Sequence, residues 1–503
     1  MKKFICIAMC AVIVPGVLGL TGCAKAPENG SYTMTLEYFP ETRTLEGEMT
    51  AEVVNTAQTA YETLCFQLWA NAYREGAQYA PVSELFSPAA YYDGESYGGI
   101  AVTQVTGAAG YRVTGEDENI LEVTLEQPLY PDEHVTLGMT FTVTLARVEH
   151  RLGVGERAVT LTGFYPVLCA CNGTQEHVYA DLGDPFVSEC ADYDVTLTLP
   201  ASYTVAHTGT GERTEANGKA AYHVRAEGVR DFAMVCSEQF SMAQGSAEGV
   251  PVTYYYLDDP DPQRTLAAAQ QSLSYYCAAF GDYTYPAYTV AQVGFPYGGL
   301  VFPMLSLIAV VLRAEETPLV VAHETAHQWW YAMVGSDQFC EAWQDEGLAE
   351  FSAALFLDEH PEYGTTYEEC VASAEASYRA FFSVWSQIAD GESTSMRRAL
   401  TDFAGEYEYR NVVYDKGLIL FDRVQEVLGR EKTLASLRAY VRAYSGTIAP
   451  PEALIACFAQ RRAYAEGVFT SFLEGISNMI SVIAFSKILR SPLAPVFLSI
   501  AFF

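Results

Sequence analysis

His323-Glu324-Thr325-Ala326-His327 is the stretch of this chain with the residue types and spacing for chemistry. On a helix, residues four apart share a face, so His323 and His327 can grip one metal ion. Glu324 then stands beside the open coordination position. There it can take a proton from an attacking water and pass it to a leaving amine. The chain has 8 His, and its composition yields only about 0.01 such motifs by chance, so the motif reads as a site. Thr317-Pro318 before it reads as a helix N-cap followed by Pro at the first helical position, and Gly335 follows its end.

A catalytic zinc takes three protein ligands. Trp330 and Met333 stand where the HExxHxxGxxH pattern needs Gly and His. The one later His, His360, precedes Pro361 and reads as a surface residue at a helix end. The third ligand is therefore expected to be a carboxylate. Glu346 follows His327 after eighteen intervening residues, inside Asp345-Glu346-Gly347-Leu348-Ala349-Glu350. That segment continues as a helix, with Leu348, Phe351, Leu355 and Phe356 as its apolar positions. Glu350, one turn on, is either the carboxylate that fixes the tautomer of a ligand imidazole or a solvated charge. With no His after residue 360, stabilising an oxyanion falls to a Tyr hydroxyl in a water-poor cleft. Tyr414 is the candidate, with Tyr407 and Tyr409 as competitors. Trp329, Trp330 and Trp343 read as packing.

Taken together, these phrases resemble the aminopeptidase N family of gluzincin zinc metallopeptidases, and among them a membrane alanyl aminopeptidase-like bacterial lipoprotein. HETAHQWW and the Glu of DEGLAE match the family's HExxH-(18 residues)-Glu signature. Tyr414-Asp415-Lys416-Gly417 matches its Tyr-x-Lys-Gly, whose Tyr stabilises the tetrahedral intermediate. GFYPVL (163–168) and ADYDVTLTLP (191–200) are similar to its N-terminal domain. The resemblance covers residues 30–475. It implies Zn2+ held by His323, His327 and Glu346, Glu324 as base then acid, Tyr414 as oxyanion donor, and a peptide or protein substrate.

One departure concerns substrate choice. The family carries Gly-x-Met-Glu-Asn/Tyr on a strand at the cleft edge, and its Glu binds the free α-amine of the substrate. The matching stretch here is Gly298-Gly299-Leu300-Val301-Phe302-Pro303, with Val301 where the Glu belongs. Val cannot pair with an ammonium group. The reading is thus a zinc peptidase, aminopeptidase-like in scaffold. Its alternatives are an endopeptidase on that scaffold and a zinc-retaining, catalytically weak peptide-binding lipoprotein.

The elements that must position these residues fall into two regions. Residues 30–245 alternate β-branched or apolar residues with polar ones, as in VTLGMTFTVTL (135–145), the period of a half-buried strand. This predicts an N-terminal antiparallel β domain. Gly245-Ser246-Ala247-Glu248-Gly249 reads as a linker. Residues 250–475 then read as an α+β thermolysin-like catalytic domain. Arg264 to Phe280 carries a helical apolar stripe stopped by Gly281, Tyr288 to Val293 is a strand, and helices dominate from Pro318.

The 503 residues are 50% hydrophobic and 18% charged, which rules out wholesale disorder. The net charge of −33 provides no basic footprint for phosphates, so no nucleic-acid partner is expected. Residues 1–22 read as an export signal: Lys2 and Lys3, then an apolar run closing on Leu20-Thr21-Gly22-Cys23. That ending resembles the lipobox of bacterial lipoproteins. It implies lipidation at Cys23 and an extracytoplasmic, membrane-anchored protein, against the alternatives of a plain cleaved signal or a spanning anchor. Of 12 Cys, nine remain once Cys6, Cys10 and Cys23 are set aside, an odd number at irregular spacings. Cys169 and Cys171 read as core thiols. The apolar tail 476–503 is interrupted by Lys487, Arg490, Pro492 and Pro495, a poor membrane span, and receives no function.

Overall fold

The computed structural model describes residues 30–170, 177–388 and 394–475. The expected signal segment, Cys23, Cys171 and the 476–503 tail lie outside the described residues.

Seven strands form the large sheet of the first domain: β1 (Gly30–Phe39), β2 (Thr44–Val54), β3 (Gly99–Thr106), β4 (His134–Thr144), β5 (Ala191–Pro200), β6 (Thr210–Ala216) and β7 (Lys219–Val229). Their order is β6-β7-β5-β1-β2-β4-β3. All neighbours are antiparallel except β1 and β5, which run parallel from Gly30 opposite Ala191. Strict alternation drives the sheet: β5 buries Ala191, Tyr193, Val195, Leu197 and Leu199, and half-exposes the residues between. Two four-stranded sheets complete the domain.

A second sheet contains β8 (Ser241–Ala247), β9 (Val250–Tyr256), β10 (Tyr288–Val293), β11 (Gly299–Phe302) and β12 (Leu305–Ala309), in the order β8-β9-β10-β12-β11. It corrects the linker reading of Gly245–Gly249. Gly245 to Ala247 belong to β8, and Glu248 and Gly249 turn the chain into β9 with φ of 50° and 81°. Two successive positive φ values make the tight turn whose twist suits a hairpin. A polar, glycine-rich stretch looks like a linker, but here it is an edge hairpin. Gly245 lets the side chain of Gln270 lie where a Cβ would sit, 2.4 Å from Nε2.

Helices cover this sheet. Helix α1 (Pro262–Phe280) starts where the Asp261 carboxylate accepts from the Arg264 N–H at 3.2 Å. It buries Leu266, Ala269, Leu273, Tyr276 and Phe280, with Gly281 as its stop. Helix α2 (Thr317–Ala326) packs between α1, the sheet and α3 (Trp343–Glu359). The Tyr276 hydroxyl donates to the Ala322 carbonyl at 2.9 Å, tying α1 to α2. Thr317 is the first residue of α2 and not its cap; its hydroxyl donates to the Arg313 carbonyl at 3.1 Å. Helix α3 is buried on almost every side, its polar residues Gln344, Asp345 and Glu346 included. Behind it lie α4 (Tyr367–Ile388), α5 (Lys416–Leu428) and three further helices ending at Leu473. Among the described residues no helix is long and apolar enough to cross a membrane.

At the crossing of α3 and α5 two glycines meet backbone to backbone. A Cβ on Gly417 would stand 2.7 Å from the Cα of Gly347, and one on Gly347 would stand 3.1 Å from the Cα of Gly417. Backbone cannot yield cheaply there, and overpacking of this kind costs about 1–3 kcal/mol. Two glycines thus set how closely the segment carrying Glu346 approaches the segment carrying Tyr414.

Candidate metal centre and active site

Helix α2 presents His323 and His327 on one face, and α3 brings Glu346 across to them. His323 Nε2 and His327 Nε2 are 3.0 Å apart, and each lies 3.2 Å from the same Glu346 oxygen. All three side chains are largely or fully buried. Among the described residues these three form the one cluster of metal-ligating groups. Two nitrogens and one carboxylate oxygen are a donor set that zinc prefers. Bonds of about 2.0–2.1 Å around a tetrahedral ion separate donor atoms by about 3.3–3.5 Å. The observed separations lie close to those edges, so the residues fit a single zinc ion.

The surroundings fix each ligand. His327 Nδ1 donates to the Trp330 carbonyl at 3.1 Å, which leaves Nε2 to face the cluster. Glu350 Oε1 lies 3.1 Å from His323 Nδ1, at the distance but without the alignment of a full hydrogen bond. Glu350 is therefore placed against the ligand imidazole and is about one-third exposed. Burial lowers the two imidazoles, but Glu346 outweighs it: His327 is raised to about 9, and His323, with Glu350 adding, is raised as well. Burial raises the Glu346 carboxyl, yet the two imidazoles hold it well below the carboxylate range.

Glu324 is 5% exposed and lies against β11, beside the ligand trio but not part of it. Burial pushes its carboxyl up to about 7, against the lowering influence of His323 and His327. Gly299 makes room for it: a Cβ there would lie 2.6 Å from Glu324 Oε1. Val301 is on the same face of β11 as Gly299, since alternate residues share a face, and it packs with the core of the α2 side. Leu300 and Phe302 join a separate apolar cluster. The strand thus carries a glycine against Glu324 and, on the same face, a buried methyl-bearing side chain, with no carboxylate. Gly298 starts the approach to this strand, and its carbonyl accepts from the Ala309 N–H at 2.9 Å.

Tyr414 sits in a single π turn, Arg410–Asp415, at the entry to α5. Its ring stacks on His323 with centroids 5.9 Å apart and 15° between planes. Its hydroxyl lies close to Glu346. Burial, and then the Glu346 charge, raise this phenol well above its ordinary value, so it stays protonated and able to donate. The competitors are resolved by position. Tyr407 is 62% exposed, and the Tyr409 hydroxyl faces Gly183 of the first domain. Lys416 is buried, donates to the Thr394 carbonyl at 2.7 Å, and is pushed down to about 7 by burial. His360 caps the end of α3 beside Glu362 at 3.1 Å, and Trp329, Trp330 and Trp343 are core. Sequence reading missed the Trp330 carbonyl and the Gly299–Glu324 contact. A backbone acceptor leaves no residue signature, and a required glycine in a cleft strand resembles any turn glycine.

A β domain is thus followed by a sheet-and-helix domain that carries HExxH at the end of one helix and Glu346 in the first turn of the next. Residues 272–480 match the family model of the Peptidase family M1 domain. The M1 zinc metallopeptidase from Deinococcus radiodurans is similar in fold, with a TM-score of 0.66 at 19% identity over 90% of this chain and 95% of that one. A variant of that protein bound to a Tyr-Ser-Ala substrate gives a TM-score of 0.63 at 20% identity, over 89% and 94% of the two chains. Leucine aminopeptidase 2 of Aspergillus fumigatus is 22% identical over 52% of this chain and 43% of its own length. Aminopeptidase M1-D of rice is 23% identical over 28% of this chain and 15% of its own length. The chain thus spans less than half the length of these curated relatives.

Because Glu324 lies beside the trio and outside it, Glu324→Gln should keep zinc near one per chain while losing most turnover. His323→Ala, His327→Ala and Glu346→Ala should each lose the metal. Elemental analysis after gel filtration checks this. Tight zinc in Glu346→Ala together with loss in Glu350→Ala would reassign the third ligand.

Proposed function

We propose that this protein hydrolyses peptide bonds with zinc held by His323, His327 and Glu346. The observation that carries the reading is their convergence, beside Glu324, in a domain that matches the M1 peptidases. Bound there, zinc supplies Lewis acidity for the scissile carbonyl and lowers the pKa of water towards about 7. The chain's own residues do the rest. Glu324 has a carboxyl poised near neutrality, accepts the proton of the attacking water and returns it to the leaving amine. Tyr414 keeps its proton and donates to the developing oxyanion. The Trp330 carbonyl holds the His327 imidazole in one tautomer, and Glu350 stands 3.1 Å from His323 Nδ1.

Substrate choice is read from Val301. An ammonium group beside this strand meets methyl groups and no acceptor, and burying a charge without a partner is costly. We therefore read the protein as a peptidase that gains nothing there from a free N-terminal amine. That favours internal or blocked substrates as the second reading beside an aminopeptidase. A third, zinc retained for peptide binding alone, requires that zinc-loaded protein cut neither kind of peptide. Wild type should cleave free and N-acetylated peptides with similar kcat/KM, and chelator should stop both. Val301→Glu should add a partly desolvated ion pair worth about 1–3 kcal/mol, which shifts the ratio toward free amines by roughly 10- to 100-fold. A wild type that already prefers free amines, with a ratio unmoved by Val301→Glu, would place amine recognition elsewhere.

We further place the protein outside the cytoplasm, lipid-anchored through Cys23, on the strength of Leu20-Thr21-Gly22-Cys23 after an apolar run. Cys23→Ala should abolish lipid labelling; equal labelling of both proteins would contradict the anchor.

A further inference from the structure

Helix α2 ends at Ala326, and the next eight residues turn the chain away from the metal centre. This turn matters because the Trp330 carbonyl within it accepts from His327 Nδ1. Wherever that carbonyl is held, the imidazole follows. The next residue, Tyr331, has φ of 153°, in the range that side-chain-bearing residues seldom adopt. Such a conformation persists only where its surroundings impose it.

Within the second domain the Tyr285 hydroxyl donates to the Ala332 carbonyl at 2.9 Å and the Ala332 N–H to the His327 carbonyl at 3.0 Å; the remaining hold comes from the first domain. Arg230 and Asp231 follow β7 directly and are 2% and 5% exposed. Asp231 accepts from the Phe232 N–H at 2.7 Å and from the Tyr165 hydroxyl at 3.4 Å, and its carboxyl lies beside the Tyr331 phenol. Arg230 donates from Nε to the Ala332 carbonyl at 3.3 Å, and its two terminal nitrogens reach the Ser188 and Thr447 carbonyls at 3.0 and 3.3 Å. Gly335 leaves space for the guanidinium, since a Cβ there would come within 2.3 Å of it. Two adjacent buried charged residues of the β domain therefore grip Tyr331 and Ala332, the two residues that follow the carbonyl on which His327 rests.

We infer that Arg230 and Asp231 are positioning residues for the metal centre: through Tyr331 and Ala332 they hold the Trp330 carbonyl, and through it the His327 imidazole, at the angle that zinc requires. The β domain thereby tunes zinc affinity without touching the ion. The inference rests on the reading of His327 as a ligand. Partners one step removed from a metal typically govern affinity by 10- to 100-fold.

Tyr331→Phe removes one hydroxyl from Asp231 and keeps the ring. Tyr165→Phe removes another hydroxyl from the same carboxylate, one that makes no hydrogen bond to the zinc turn, and serves as the comparator. Zinc dissociation constants are measured on the full chain by competition with a chromophoric chelator, and visible spectra are recorded with Co2+ in place of zinc. Tyr331→Phe should weaken zinc about tenfold and shift the Co2+ bands, while Tyr165→Phe stays within twofold with unshifted bands. Arg230→Lys cannot span three carbonyls and should weaken zinc as Tyr331→Phe does; it carries the same test should Tyr331→Phe fail to fold. Equal effects of Tyr331→Phe and Tyr165→Phe, or no effect of Tyr331→Phe, would overturn the clamp. His327→Ala separates the two readings. If it loses zinc while Tyr331→Phe does not, the clamp alone fails; if it keeps zinc, the ligand assignment fails first.

Discussion

Two imidazoles and a carboxylate are buried within 4.8 Å of one another, and the rest of the catalytic domain is arranged to make that tolerable. Groups of this kind are expensive to remove from water unless something shares their charge and lone pairs. The two Nε2 atoms, 3.0 Å apart, cannot both present lone pairs to each other without a cation or proton between them. The elevated imidazoles and the depressed Glu346 carboxyl express the same demand. A divalent ion with open coordination satisfies it and leaves room for a reacting group. Glu324, beside the trio, is pushed in the opposite direction by burial and becomes a proton acceptor near neutrality.

Convergence at this point is a backbone problem solved by three close approaches. One helical turn sets His323 against His327. The Gly347–Gly417 contact brings α3 and α5 within reach, so that Glu346 and Tyr414 share the site. Gly299 lets Glu324 lie against β11. The π turn then aims Tyr414, whose ring lies flat on His323. On the same strand Val301 is buried in the core and brings no charge.

Much of the site was legible because its signals are local. His323 and His327 are spaced by a helix turn, and Glu346 starts a helix whose apolar positions continue to Phe356. The strands of the first domain announce themselves by alternation, as β5 does along 191–199. What the sequence concealed was long-range or context-dependent. Nothing in β1 or β5 states that they pair in parallel, because alternation fixes faces and not neighbours. Gly245–Gly249 has a linker's composition and forms a hairpin, since glycine serves both. Tyr409 and Tyr414 are equivalent as residue types, and only the fold turns one toward Glu346 and the other toward Gly183. Arg230 lies about a hundred residues from Ala332, too far for any spacing rule to connect them.

Anomalous scattering at the zinc edge from crystals of the zinc-loaded protein tests the account most directly. The account predicts one strong peak about 2.0–2.2 Å from His323 Nε2, His327 Nε2 and a Glu346 oxygen, with Glu324 outside bonding distance. A peak that bonds Glu324 or Glu350 in place of Glu346, or one that lies away from α2, would contradict it.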